Sequence, residues 1–135
     1  MSEALVWLYV VNATLLLVHE IDAGYWREWR LVPFLERGRV AVGDDRSGHQ
    51  EFLVLHVPLV ALVLLGLTEV AQGSRTGLVA SAVLAAAGIT AYCLHVWWER
   101  QGRREFSWPM SQAVLGPALR VSVAQLSLTV AALGM

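Results

Sequence analysis

The sequence predicts an all-α protein: an integral membrane bundle of four helices running up and down. Three observations predict it. Of 135 residues, 56% are hydrophobic, and the mean hydropathy of +0.54 exceeds that of an ordinary soluble domain. Four apolar segments approach the length of about 20 residues that a membrane helix needs. The stretches that join them hold nearly all the charge. The segments run roughly over residues 4–22, 52–69, 77–98 and 113–134 and leave nothing substantial over, so residues 1–135 read as a single transmembrane domain.

The first segment lacks a positive n-region and has no small-residue cleavage pattern before HEID, so it is expected to stay in the mature protein. It runs out into HEIDAGYWREWR, where Gly24 is expected to loosen the helix and Pro33 to end any extension. Residues 36–48, ERGRVAVGDDRSG, read as a turn-rich loop with Ser47 as N-cap of the second helix. That helix opens with His49 and His56, seven residues apart and therefore on one face. The third segment, LVASAVLAAAGITAYCL, is rich in small residues that let membrane helices approach closely, and it offers a face for a homo-oligomer. On the fourth, Gln112, Gly116 and Arg120 share a face, with Arg120 roughly 13 Å along the helix axis.

The chain has ten arginines and no lysine. Arg27, Arg30, Arg37, Arg39 and Arg46 lie between the first two segments and Arg100, Arg103 and Arg104 between the last two, whereas the other side has only Arg75. The positive-inside rule then places both termini outside and the arginine-rich connections in the cytoplasm. Trp26, Trp29, Trp97, Trp98 and Trp108 fall at the same end, as an interfacial belt would. The net charge of −1 says little about partners, and no basic arm points to nucleic acid. The lone Cys93 excludes an intramolecular disulfide and a cysteine-based zinc site.

All four histidines, His19, His49, His56 and His95, fall in the layer at the arginine-rich end, with Glu20, Asp22, Glu28, Glu51, Glu99 and Glu105. On the first helix Asn12, His19, Asp22 and Trp26 form one stripe, so Asp22 can orient or charge-pair with His19, while Glu20 is rotated about 100° away. Tyr92, His95 and Glu99 share a face of the third. Ionisable groups inside a span are costly and usually face a partner or a polar cavity, which singles out His56 and Arg120. A salt bridge from Arg120 to Glu20, Asp22 or Glu99 that only fixes helix register is the plainer expectation for that residue.

HEIDAxxxxEWR (His19, Glu20, Ile21, Asp22, Ala23, Glu28, Trp29, Arg30), LHVPL (Leu55 to Leu59), and His95 followed by Glu105, Phe106 and Ser111 resemble an uncharacterised family of small bacterial four-helix integral membrane proteins, designated DUF6713. The resemblance spans most of the chain. More loosely the sequence is similar to small membrane proteins named for an HxxEE motif, although no Glu-Glu pair occurs here. The resemblance implies a bacterial inner-membrane bundle and brings no established reaction.

Three chemistries suit the polar layer. His19, His56 and His95 converging from three helices would hold zinc or iron and activate bound water or dioxygen, with Glu20, Asp22 or Glu99 as ligand or support. Without a metal, Glu20 or Asp22 is the expected acid/base, His19 and His56 its partners, Glu99 a further carboxylate of the site, and Arg120 an anion or oxyanion stabiliser. Either would make a membrane hydrolase, isomerase or cyclase acting on a lipophilic small molecule that enters from the lipids. The third is non-catalytic binding or transport of a metal ion or lipid. Asn12, Gln125, Ser127 and Thr129 extend some polarity down the span, and the second and third helices add only Thr68, Thr90 and Ser81. A closed cavity lined by Leu16, Val60 and Ala91 would favour an enzyme or lipid binder.

Overall fold

The computed structural model describes residues 3–25, 45–102 and 109–134. They form four helices and no strand: α1 (Glu3–Tyr25), α2 (Asp45–Gln72), α3 (Arg75–Arg100) and α4 (Pro109–Leu133). Each holds a stretch long and apolar enough to cross a membrane, and the fold is a membrane-type helical bundle. α2 begins at Asp45, so Ser47, expected as a cap, lies inside the helix.

The helices meet along seams with alternating steps of four and three residues, the spacing that keeps one face on a slightly supercoiled neighbour. On α1 the seam is Leu5, Tyr9, Asn12, Leu16, His19 and Ala23; on α4 it is Ser111, Leu115, Ala118, Ser122, Gln125 and Thr129. α3 presents Ser81, Ala85, Gly88 and His95. The small residues of α3 are thus used inside the bundle, and the side expected to pair with a second copy retains Ala86, Ala87 and Thr90. A β-carbon on Gly88 would run into the Ser122 hydroxyl, so the close approach of α3 and α4 requires glycine there.

The apolar core, Leu5, Tyr9, Ala13, Val70, Leu78 and Leu84, sits at the end away from the histidines. There the corner between α2 and α3 turns on Gly73 with φ 76°. Ser74 caps α3 by accepting from the Gly77 N–H at 2.9 Å, and its hydroxyl donates to Glu69 Oε2 at 2.5 Å. α2 is the outlier in packing: only 11% of its apolar window is buried, against 33% in each other helix. It is fastened near its two ends. The Tyr9 hydroxyl donates to the Val63 carbonyl at 3.0 Å, a contact for which Gly66 leaves the room. At the other end Phe52 packs over Gly24, whose missing side chain leaves room for this approach.

Candidate functional site

Near its C-terminus α1 hands the residues of a single turn to different neighbours, because each residue rotates by about 100°. His19 is buried against α3, Glu20 turns to α2, and Asp22 reaches α4.

The Glu20 contact fixes a proton count. His56 Nε2 lies 2.9 Å from Glu20 Oε2, and His56 Nδ1 lies 2.6 Å from the Phe52 carbonyl. A carbonyl only accepts, so Nδ1 carries a hydrogen and donates to it. The hydrogen bond between Nε2 and the carboxyl therefore needs one further proton. It is either an imidazolium facing a carboxylate or a neutral imidazole accepting from a carboxylic acid. Both forms hold the same number of protons, and the pair is only partly buried.

His19 and His95 meet edge to face with ring centroids 4.8 Å apart, both buried, and the Trp98 indole stands beyond His95 at 6.5 Å. Ser111, wholly buried at the start of α4, donates to Asp22 Oδ2 at 2.5 Å and ties the ends of α1 and α4 together. Between α3 and α4 a partly open groove of about 230 Å³ is lined by Tyr92, His95, Val96 and Glu99 on one side and Gln112, Leu115 and Gly116 on the other. Gln112 Nε2 donates to Glu99 Oε1 across its rim at 3.3 Å. The stripes of Tyr92, His95 and Glu99 and of Gln112 and Gly116 therefore face each other. The groove lies one interface further round the bundle than a cavity under Leu16, Val60 and Ala91 would.

Arg120 departs from the sequence expectation. It is exposed, two residues on from the fully buried Ala118 and hence across the helix from the α4 seam, so it makes no buried salt bridge. Nor do His19, His56 and His95 converge: His19 faces His95 while His56 faces Glu20. Among the described residues no group of three or more His, Cys, Asp or Glu is placed to hold a metal ion. The described donors therefore do not gather as a zinc or iron centre requires. Trp26, Glu28, Trp29, Arg30, Pro33, Glu105 and Trp108, with the side chains of His49 and Glu51, lie outside the described residues.

Deeper in the span, Asn12, Ser81, Gln125 and Thr129, all named in the sequence, join with Ser122, which was not, in a closed polar network. Asn12 Nδ2 donates to Gln125 Oε1 at 2.7 Å, and Asn12 Oδ1 accepts from Ser122 at 3.1 Å. Gln125 Nε2 donates to the carbonyl and hydroxyl of Ser81, both at 3.0 Å, and Ser81 shares a 2.8 Å hydrogen bond with Thr129. All five side chains are fully buried. Their spacing on α4, at 122, 125 and 129, was the available signal. Ser127 and Thr68 are exposed and bond back to their own helices.

A bundle of membrane helices with histidines and carboxylates gathered at one end, above a closed polar network, defines the class of protein. The chain belongs to a family of unknown function, DUF6713, which it matches over residues 5–132. Neither the curated proteins nor the solved structures contain a match.

Proposed function

We propose that this protein binds a lipophilic small molecule in the groove between α3 and α4 and performs acid/base chemistry on it, as an isomerase, cyclase or hydrolase of the membrane would. One observation carries the reading: buried His95 lines a groove that also presents Tyr92, Glu99 and Gln112, while His19 backs it from α1. A pocket with apolar walls and a few convergent polar groups is the ordinary form of a small-molecule site. His95 is the group that meets the ligand, Glu99 the carboxylate at its rim, and the hydrogen-bonded pair of Glu20 and His56 stands at the same end of the bundle. Asp22 positions α4 through Ser111. The arginine distribution supports a cytoplasmic location for this end, with both termini outside. Transport is the weaker reading because the deeper polar groups are spent on one another.

The test uses isotopes. Purified full-length protein in nanodiscs is incubated with a total lipid extract in D₂O, and separately in ¹⁸O-water, and the extract is analysed by mass spectrometry. An isomerase or cyclase leaves deuterium on carbon in its product and a hydrolase leaves ¹⁸O, in both cases lost with His95→Gln. If no species gains either label above the His95→Gln control, the catalytic reading fails and non-catalytic lipid binding replaces it.

A further inference from the structure

The groove has a charged neighbour that the reading above does not use. Arg120 is the twelfth residue of α4, inside the stretch Ser111–Leu133 that is long and apolar enough to span a membrane. It is exposed, and among the described residues it has no hydrogen-bond or ion-pair partner. A guanidinium on the lipid-facing side of a span is costly unless something polar meets it.

Register shows where it reaches. Glu99 pairs with Gln112, and Ser81 with Thr129, so α3 and α4 run antiparallel with Arg120 level with Thr90 and Ala91, about two turns below the groove's rim. Helical side chains lean toward the N-terminus, which for Arg120 is toward the groove. Its path crosses Gly116, where a β-carbon would meet nothing within 4 Å. The stem has open room, and the groove's lining at Gly116 lies one turn away, within the length of an arginine side chain.

We propose that the ligand of this groove, on the functional reading above, is a single-chain amphiphile with a carboxylate head, held by Arg120. The charge count selects the head. One guanidinium balances one negative charge, and Glu99 at the outer rim disfavours a second. The planar fork of arginine matches a carboxylate with two parallel hydrogen bonds. Size selects the tail: about 230 Å³ is below the range of a drug-sized pocket and takes a head group and the start of one chain. The chain continues along the lipid-facing side of α4 past Val123, which is half exposed.

The experiment measures binding of cis-parinaric acid, a fluorescent unbranched carboxylic acid, and of its methyl ester to the full chain in nanodiscs. Dodecyl phosphate and lauric acid serve as competitors. The acid is expected to bind saturably at one site and more tightly than the ester. Arg120→Gln should weaken the acid about tenfold or more, the loss of a charge-assisted hydrogen bond, and leave the ester unchanged. Arg120→Lys should keep only part of the acid's affinity, because it retains the charge and loses the paired hydrogen bonds, and it shows that the position tolerates change. Gly116→Leu, which fills the groove and keeps the arginine, should remove both ligands. Equal binding of acid and ester, no effect of Arg120→Gln, or stronger competition by dodecyl phosphate than by lauric acid would overturn the carboxylate assignment. If Gly116→Leu changes neither ligand, the groove itself is not the site and the functional reading falls with it.

Discussion

Replacing Gln125 by leucine isolates the buried network at nearly constant side-chain volume. Gln125 accepts from Asn12 at 2.7 Å and donates to the Ser81 carbonyl and hydroxyl, each at 3.0 Å. Interhelical hydrogen bonds in a bilayer average about 0.6 kcal/mol and reach about 1.7, so three of them bracket a loss of roughly 2 to 5 kcal/mol. The lower half of that range applies, because the Ser81 carbonyl keeps its place in the α3 ladder and the Ser81 hydroxyl keeps Thr129. The Asn12 amide, left without its acceptor in a fully buried position, adds its own desolvation cost. We expect Gln125→Leu to destabilise the bundle by about 2–3 kcal/mol. Reversible unfolding of the purified protein at increasing SDS mole fraction, followed by circular dichroism, measures this directly. Combining it with Asn12→Ala should give a coupling energy near 1 kcal/mol, since the two share one bond. A loss below about 0.5 kcal/mol, or additive single variants, would show that the network does not join α1 to α4 energetically.

Gly66→Ala should cost about 1–3 kcal/mol in the same assay, because the new methyl displaces the Tyr9 hydroxyl, whereas Tyr9→Phe, which only removes the bond to Val63, should cost less. Glu20→Gln should leave His56 with its hydrogen on Nδ1, held there by the Phe52 carbonyl. ¹⁵N NMR of labelled histidine reads the tautomer, and a ring found with its hydrogen on Nε2 alone would contradict the Phe52 contact. Ser111→Ala should cost about 1–2 kcal/mol by leaving Asp22 without its donor, and Ser111→Thr should recover most of it; equal losses from both would show that the hydroxyl is not what matters.

The number and rough extent of the helices were legible because apolar run length is a direct consequence of bilayer thickness. Which side of each helix faces inward was not legible in the same way. In a soluble bundle the buried side is the apolar side. In a membrane both sides are apolar, so only small and polar residues mark the interior. That sufficed where polar residues recur at helical spacing, and so the stripes of Tyr92, His95 and Glu99 and of Gln112 and Gly116 meet in one groove. It failed for Ser81, Ser122 and Thr129, whose importance depends on a register set by Gly88 against Ser122. It failed for Arg120 as well: spacing gave the face it shares with Gln112 but not that Arg120 is exposed rather than held in a buried salt bridge. The three histidines shared a layer, yet their directions around the bundle axis send His56 to Glu20 and leave His19 to His95.

The unequal burial of the helices bears on how the chain is made. α2 has the highest hydropathy, 2.2, and the least buried window, while α4 has the lowest, 1.4, and carries Ser122, Gln125 and Thr129 inward. A nascent α2 can therefore rest in lipid alone, whereas α4 emerges last and brings polar side chains whose acceptors and donors belong to α1 and α3. Its docking satisfies those groups only once α1 and α3 are in place, and a ribosome-bound chain stalled before residue 109 would hold Asn12 and Ser81 open to any other polar helix nearby.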